Sequence, residues 1–416
     1  MFLHRSPVTH PPRPVPSVQA FAVLSAIESL ARGILISVFP VVMYRIFEDA
    51  RLVSQVYFII GVLSLLVAIS VPWLSRHVAR RWLYSFAVIV YVISAGLCAL
   101  ADSWLFAIGL GLFTFSIVIV AVCFNAYVLD YINRARLGEC ETLRLFYSGA
   151  SWSIGPFLGI YLMSLWKPAP FILSALASCV LLGIFWYYRL GDGKAIQKAN
   201  KKPPNPFAYL NRFIHQPRLV AGWIFAVIRC VGWWVYVVSL PIYAVENGYS
   251  EQLGGALLSL SNAFLFLTPM MLKAMRGRIR LAVITGFICS GSMFLLAAMD
   301  LAGTSLSIGL LVLASFFLIL LDICAGLPFL MAVRPSERTE MSAVYSTYRD
   351  VSGVITPGAA SLLLLFAPLS AIFALTAFSF FACASIATRL HPRLGAKREL
   401  PLELQVVTEA APGINL

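Results

Sequence analysis

Long apolar stretches separated by short polar gaps run along most of the chain. A hydrocarbon core about 30 Å thick is crossed by roughly 20 apolar residues of helix, and these stretches have that length. Backbone groups in lipid must be hydrogen-bonded within their own segment, so such stretches predict helices rather than shorter barrel strands. Twelve spans are predicted, at about 18–44, 53–74, 82–101, 104–130, 143–166, 168–188, 219–244, 252–272, 281–299, 304–332, 341–366 and 368–389.

One wide polar gap, rich in Lys, Pro and Asn, divides the spans into two sets of six. The predicted fold class is therefore an all-α membrane protein with two six-helix, pseudo-symmetric halves. The predicted segments are a cytoplasmic N-terminal tail at 1–17, bundles at 18–188 and 219–389, a cytoplasmic linker at 189–218 and a cytoplasmic C-terminal tail at 390–416.

Composition agrees with this prediction, because 60% of the residues are hydrophobic and only 12% are charged. Soluble domains contain about 25% charged residues. A soluble fold of this length cannot bury so much apolar surface, so lipid must solvate much of the chain.

The distribution of basic residues changes the meaning of the net charge of +13, which by itself would suggest a nucleic-acid partner. The tails and the gaps on their side of the predicted topology hold 25 of the 31 Lys and Arg residues, and the gaps on the other side hold three. This asymmetry is the positive-inside pattern. It predicts a protein of the cell (inner) membrane with both termini in the cytoplasm, in contact with lipid and not with nucleic acid.

The two sets of spans repeat each other at an offset of 201 residues. Pro40 near the end of span 1 matches Pro241 near the end of span 7, and Pro156 in span 5 matches Pro357 in span 11. Six is an even number of spans, so both repeats have the same orientation. Such halves are related by an axis along the membrane normal.

With these features the chain resembles the major facilitator superfamily of secondary transporters. In that family the loop between spans 2 and 3 reads roughly G-x-L-A-D-R-x-G-R-R. Here Arg76, Arg80 and Arg81 keep the basic positions, Ser75 stands at the Asp position, and Arg278 follows in the matching loop of the second half. The resemblance implies transport by alternating access, with the solute held between the halves.

Span 5 carries a second point of resemblance. In proton-coupled exporters of the family this span reads G-x-x-x-G-P-x-x-G, and Gly155-Pro156-Phe157-Leu158-Gly159 retains the second part. Proline removes a helical hydrogen bond, so Gly155-Pro156 and Pro357-Gly358 are predicted to bend spans 5 and 11. Packing without bending or motion is the alternative.

Charged residues inside the spans are the main candidates for a site, because each costs about 2.5 kcal/mol or more in mid-membrane. They are Glu28, Arg32, Arg229, Asp322, Arg349 and Asp350. One interpretation is that they form static pairs, namely Glu28 with Arg32 and Arg349 with Asp322 or Asp350. The other is that they line the cavity between the halves, with Glu28 as the proton-coupling carboxylate and Asp322 as the second candidate.

Aromatic and amide side chains surround these charges in the sequence. Trp233 and Tyr236 follow Arg229 at helical spacing, and Trp152, Asn125 and Asn262 lie at similar depth in other spans. Together with the arginines they predict a surface for an amphipathic solute or a gate. Packing and hydrogen bonds between helices are the alternative.

Other classes of function lack support in the sequence. It has no G-x-x-x-x-G-K-[ST] loop for ATP and no H-E-x-x-H motif, and the five His residues lie outside the predicted spans. The eight Cys residues form no C-x-x-C pair. We expect no metal, no cofactor and no enzymatic activity.

The predicted function is secondary active transport of a small organic solute, with proton-coupled efflux as the leading hypothesis and a monomer as the expected state. The span-5 motif and Glu28 favour efflux. Arg32, Arg229 and Arg349 favour a second hypothesis, uptake of an organic anion or nutrient. A third hypothesis is a membrane scaffold or sensor without transport activity, which Ser75 at the Asp position allows.

Overall fold

The computed structural model describes residues 17–100, 104–132, 137–188, 206–275, 278–301, 303–333, 341 and 344–391. Nearly all of both predicted tails and residues 189–205 of the predicted linker lie outside the described residues. Within the described ranges, ten helical segments are long and apolar enough to cross a membrane. Two further helices lie where the fifth and eleventh spans are predicted.

Seven helices form the first half of the molecule. They are α1 Val18–Ile36, α2 Val38–Phe47, α3 Ala50–His77, α4 Arg80–Leu100, α5 Trp104–Tyr131, α6 Leu137–Leu165 and α7 Ala169–Tyr187. Two helix starts have side-chain caps: the Ser17 hydroxyl accepts a bond from Ala20 N, and the Asp49 carboxylate accepts one from Arg51 N.

Nine described helices make up the linker end and the second half. They are α8 Pro206–Ile214, α9 Pro217–Glu246, α10 Glu251–Ala263, α11 Thr268–Met275, α12 Ile279–Met299, α13 Thr304–Cys324, α14 Leu327–Ala332, α15 Tyr348–Leu363 and α16 Ser370–Ala387. A 3₁₀ turn, Phe264–Leu267, joins α10 to α11.

Three predicted spans are interrupted rather than continuous, and each interruption lies four residues before a proline. Helix α1 ends at Ile36 before Pro40, and α13 ends at Cys324 before Pro328. The 3₁₀ turn contains Leu265, four residues before Pro269. Proline gives no N–H to the carbonyl four residues earlier and its ring collides with that carbonyl, which favours an interruption there. Pro156, Pro241 and Pro357 nevertheless lie inside continuous helices.

The helices of each half make the same set of contacts, as expected for a repeat. In the first half α1 packs against α6 and α7, and α4 packs against α5 and α7. In the second half the corresponding contacts are α9 with α15 and α16, and α12 with α13 and α16. The predicted pseudo-symmetric architecture is therefore confirmed.

The two halves meet through two helix pairs that are also related by the repeat, α3 with α15 and α6 with α10. Glycines allow the close approach. A Cβ on Gly61 of α3 would collide with the Gly353 backbone of α15, and a Cβ on Gly255 of α10 would collide with the Pro156 carbonyl of α6. Small residues at such crossings let helix backbones come together.

One large core is shared by the halves, and near one end of the molecule two smaller cores each belong to a single half. We call the end where α3 is followed by α4, where α7 ends and where α8 lies, the linker end. One core includes residues of both halves, such as Phe39 and Leu240. Toward the linker end, one core belongs wholly to the first half, and another, around Phe329, belongs wholly to the second.

At the opposite end, which we call the clasp end, side chains of the two halves contact each other. The Arg45 guanidinium of α2 forms a bidentate ion pair with the Glu251 carboxylate of α10. Tyr44 of α2 lies close to Glu246 at the end of α9. The ion pair between Arg45 and Glu251 joins the two halves at the end opposite the linker end.

Candidate functional site

The first half contributes one ion pair at the expected depth. Glu28 and Arg32 lie one turn apart on α1, and Arg32 Nη1 donates to Glu28 Oε1 at 3.0 Å. The guanidinium carbon of Arg32 lies 5.2 Å from the centre of the Trp152 ring on α6. The predicted pair is present, and the cation–π contact joins it to α6, the helix that carries the span-5 motif.

Glu28 turns toward the interior of the first half. Its side chain is 19% exposed, whereas that of Arg32 is 32% exposed. Glu28 borders a small void whose other lining residues come from α1, α4, α5 and α7, among them Tyr91 and Ser178. Arg32 is therefore the more accessible member of this pair.

The second half contributes an ion pair between two helices. Arg229 Nε of α9 lies 3.1 Å from Asp322 Oδ1 of α13. The Trp233 indole N–H, one turn further along α9, donates to Asp322 Oδ2 at 2.9 Å. The carboxylate thus accepts a hydrogen bond from Trp233 and forms an ion pair with Arg229 of the same helix, and these contacts tie α13 to α9.

Tyr348 at the start of α15 completes this cluster. The guanidinium carbon of Arg229 lies 5.4 Å from the centre of the Tyr348 ring, and Arg349 Nε donates to the Tyr348 hydroxyl at 3.1 Å. Asp322 therefore pairs with Arg229, and of the two partners considered for Arg349, the pairing with Asp322 is not formed. Arg349 is exposed and Asp350 is half-buried beside it.

The remaining predicted polar residues form bonds within or between helices. Tyr236 is fully buried and its hydroxyl bonds Ser261 of α10, which in turn accepts from Ser315 of α13. Asn262 donates to the Leu258 carbonyl of its own helix at 2.9 Å. Asn125 is exposed and accepts a bond from Arg144. For Tyr236 and Asn262, these contacts agree with the alternative interpretation, in which the side chains take part in packing and in hydrogen bonds of the helices rather than in a solute surface.

The basic loop residues lie at the linker end. Arg80 and Arg81 begin α4, where Arg80 covers the Tyr127 ring at 5.5 Å and Arg81 lies 5.8 Å from the Trp82 ring. Arg278 is exposed at the start of α12. The side chain of Arg76 lies outside the described residues.

The motif residues of span 5 form the tightest contact between α6 and α1. A Cβ on Gly155 would lie 2.6 Å from the Gly33 carbonyl carbon, and Ser37 Oγ donates to the Pro156 carbonyl at 2.7 Å. Pro156 and Pro357 lie inside α6 and α15 without interrupting them. Gly358 faces Phe58 of α3. That these prolines bend their helices stays a prediction.

The repeat relates the two charged clusters to each other. At the offset of 201 residues, Glu28 corresponds to Arg229 and Arg32 corresponds to Trp233. Tyr348, which the sequence analysis missed, corresponds to Tyr147 of α6, and applying the same offset to every aromatic residue would have found it. The clusters thus occupy equivalent places on the first helix of each half.

These features define a polytopic membrane transport protein with two repeated halves, each of which carries an ion pair on its first helix. The sequence matches the model of the Major Facilitator Superfamily over residues 21–357, and the chain belongs to that family. It is a transporter rather than an enzyme. The sequence matches no protein of curated function.

Solved transporter structures share the fold. A mutant form of the nucleoside transporter NupG superposes with a TM-score of 0.68 at 13% identity over 89% of this chain and 98% of that one. A POT family transporter bound to a thioalcohol-conjugated peptide gives a TM-score of 0.73 at 11% identity, over 89% and 95% of the two chains. At these identities the likeness establishes the fold alone.

Proposed function

We propose that this transporter is a proton-coupled exporter of a small organic solute and works by alternating access. The main support is the Arg229–Asp322 pair, which joins two helices of one half at mid-span. The Asp322 side chain is 33% exposed and that of Arg32 is 32% exposed. Exposed charge is costly in hydrocarbon, so these side chains face a wet cleft between the halves rather than lipid.

Asp322 is our first choice for the proton-coupling carboxylate, ahead of Glu28. The charged carboxylate holds Arg229 and Trp233 of α9 against α13. Protonation removes that attraction and leaves Arg229 against the Tyr348 ring, which changes the balance between two arrangements of the helices. Protonation of Glu28 would break only a bond within α1.

The charges around the cleft favour an amphipathic solute over a simple anion. Arg32 and Arg229 each have a carboxylate partner, so their attraction for an external anion is largely cancelled. Trp152, Trp233 and Tyr348 offer aromatic faces beside these pairs. Apolar walls with a few placed polar groups are typical of sites for small organic molecules.

Two observations support export. The retained Gly155-Pro156-Phe157-Leu158-Gly159 segment packs α6 against α1 at the expected motif position. Positive-inside counting assigns the linker end and both termini to the cytoplasm. The conformation described here then opens its cleft to the cytoplasm, where an exporter loads its solute.

Uptake of a nutrient is a second candidate. Arg349 is exposed and bonds a tyrosine hydroxyl rather than a carboxylate, so it is available to a solute carrying an anionic group. Structural neighbours include a nucleoside transporter and POT family transporters. Growth of deletion cells separates the two: sensitivity to toxic amphiphiles favours export, and failure on one nutrient favours uptake.

The test is flux across proteoliposomes under an imposed pH gradient, with a panel of amphipathic and anionic solutes. We expect the gradient to drive one class of solute and Asp322→Asn to abolish that drive while solute exchange without a gradient continues. Glu28→Gln is the matched control and should retain gradient-driven flux. Unchanged coupling in Asp322→Asn would overturn the assignment, and no flux with any solute would favour the scaffold hypothesis.

A further inference from the structure

Arg349 of α15 differs from the other two arginines of the candidate site, because it has no carboxylate partner among the described residues. Arg32 and Arg229 each form an ion pair. Arg349 donates from Nε to the Tyr348 hydroxyl at 3.1 Å and forms no ion pair with a described carboxylate. Asp350 follows it in the sequence, but the side chains of adjacent helical residues point about 100° apart. The terminal nitrogens Nη1 and Nη2 of Arg349 are thus available to a group from outside the protein.

Arg349 lies on the face of α15 that meets the first half. Residues four apart share one face of a helix, and Gly353 lies four residues after Arg349. A Cβ on Gly61 of α3 would lie 2.5 Å from the Gly353 carbonyl oxygen, so this face of α15 crosses α3 closely. The Trp234 ring of α9 lies beside Gly353 as well. Arg349 is therefore one turn beyond the crossing of the two halves, and its side chain is exposed there.

The depth of Arg349 indicates that its side chain faces water. Arg349 is eight residues into the predicted span 341–366, which is about 12 Å of helix. An unpaired guanidinium is costly in hydrocarbon, so an exposed one at this depth faces a wet space rather than lipid. Because Arg349 lies beside the crossing of the halves, this space is the place that the proposed function gives to the solute.

The aromatic side chains around Arg349 hold it in position before a solute binds. The Tyr348 ring lies 5.2 Å from the Tyr345 ring, which stacks on the buried Phe329 ring with 3.9 Å between the centres. The Arg229 guanidinium carbon lies 5.4 Å from the centre of the Tyr348 ring. The tyrosine that anchors Arg349 Nε is thus itself packed against two neighbours. A site that is preorganised in this way loses less conformational entropy on binding.

A neutral residue stands at the equivalent place in the first half. At the offset of 201 residues, Arg349 corresponds to Ser148 of α6, and Tyr348 corresponds to Tyr147. The Ser148 hydroxyl lies 3.0 Å from the Ser25 hydroxyl of α1, so this side chain is bonded within its own half. The available positive charge at Arg349 is therefore particular to the second half. It would orient a solute with its anionic end toward α15.

A guanidinium with two free terminal nitrogens suits a planar group with two acceptor oxygens, which is the geometry of a carboxylate. One such cation favours one carboxylate, because the other arginines of the site are already paired and Asp350 repels a second anionic group. We propose that the solute is an amphipathic monocarboxylate, with Arg349 binding its carboxylate and aromatic side chains contacting its apolar body. This assignment rests on the proposed function, since it takes the solute to bind between the halves, and it is the same for export and for uptake.

The test compares acids with their amides on the same apolar skeleton, by calorimetric titration of the purified full-length protein in detergent. The pairs are hexanoate and hexanamide, phenylacetate and phenylacetamide, and cyclohexylacetate and cyclohexylacetamide. In at least one pair we expect the acid to bind about tenfold more tightly than the amide, as one charge-assisted contact predicts. Arg349→Gln should abolish this preference. Arg349→Lys should retain part of it, because lysine keeps the charge without the paired N–H groups.

Controls separate this site from general effects of charge. Arg389→Gln removes an exposed arginine two residues after the end of α16 and should keep the acid preference of the wild type. Asp350→Asn removes the carboxylate next to Arg349 and should increase the preference. Adipate, which adds a second carboxylate to hexanoate, should bind no more tightly than hexanoate. Thermal unfolding in detergent confirms that each variant is folded.

Three results would overturn the proposal. They are equal binding of acid and amide in every wild-type pair, tighter binding of adipate than of hexanoate, and an unchanged acid preference in folded Arg349→Gln. Flux under a pH gradient separates this assignment from the proposed function. An acid preference that depends on Arg349, without gradient-driven flux, would keep the carboxylate site and overturn proton coupling. Gradient-driven flux of the amides, with no preference for any acid, would keep proton coupling and overturn the carboxylate site.

Discussion

At the scale of single residues, the ion pairs differ in what they hold together. Arg32 and Glu28 lie on one helix, so their bond adds little to the contact between helices. Arg229 and Asp322 lie on two helices, and Trp233 donates to the same carboxylate. A change of charge at Asp322 therefore has a direct mechanical consequence, whereas a change at Glu28 acts first on the interior of the first half.

Gly155 gives a residue-scale prediction about the motif segment. A methyl group here would collide with the Gly33 backbone, which cannot move aside as a flexible side chain could. We expect Gly155→Ala to lower the unfolding free energy by about 1–3 kcal/mol, as overpacking does, and to reduce flux. Thermal unfolding of the purified protein measures the first effect.

The matched control for this variant lies on the same helix. A Cβ on Gly149 of α6 would meet no atom within 4 Å, so Gly149→Ala tests the loss of glycine in α6 without a collision. It should be neutral or slightly stabilising, because alanine favours helix. Equal destabilisation by both substitutions would mean that helix propensity, and not the contact with α1, explains the glycine.

At the scale of elements, the positions of the spans could be predicted from the sequence better than the contacts between them. Apolar length predicted where the helices lie, because lipid imposes one length on every span. The interruptions before Pro40 and Pro328 were missed, since apolar length does not register a lost hydrogen bond. The position of proline alone would not have located them, because Pro156, Pro241 and Pro357 lie inside continuous helices.

Pairing between helices was the harder part of the site. The sequence left Asp322 and Asp350 as alternative partners of Arg349, and neither alternative included the pair of Asp322 with Arg229 that the structure shows. Depth can be counted along a sequence, whereas the partner depends on how α9 and α13 are rotated about their axes. The same limit explains why Tyr236 turns into a buried hydroxyl network.

The clasp between α2 and α10 carries a prediction at the element scale. Arg45→Glu places two like charges where the ion pair with Glu251 now holds the halves together. We expect this variant to populate states open at the clasp end and to show slower or uncoupled flux, and Arg45→Glu/Glu251→Arg to recover. Thiol labelling of a cysteine introduced near Tyr243 reports the opening.

The rescue distinguishes a gate from a simple structural contact. Exposed ion pairs contribute about 1 kcal/mol or less, so the reversal should change the balance of conformations without unfolding the protein. If the double reversal failed to restore flux while each variant remained folded, the pair would have no role in closing this end.

At the scale of the whole molecule, we interpret the distribution of hydrophobic cores as one of the two conformations of the proposed transport cycle. In the proposed alternating-access mechanism the halves would rock about the contacts α3–α15 and α6–α10, and near the linker end two cores each belong to a single half. The glycines at these crossings bring backbones close together, and the described contacts across the interface lie toward the clasp end or near mid-span. Alternating access also requires a second conformation, in which the halves contact each other at the linker end and separate at the clasp end.

This rocking predicts a change of distance at the linker end. Phe146 of α6 is 65% exposed and Met270 of α11 is 71% exposed, and both lie in the parts of their spans nearer that end. Spin labels on Phe146→Cys and Met270→Cys should report a long distance in the state described here. Because closure at the linker end must accompany opening of the clasp, Arg45→Glu should shift the distribution toward shorter distances.

Labels within one half, at Phe146→Cys and Trp186→Cys, should keep their distance if each half moves as a rigid body. A distribution that is identical in wild type and Arg45→Glu, in protein whose clasp end is shown by thiol labelling to be open, would mean that the two ends open independently and that the halves do not rock as units.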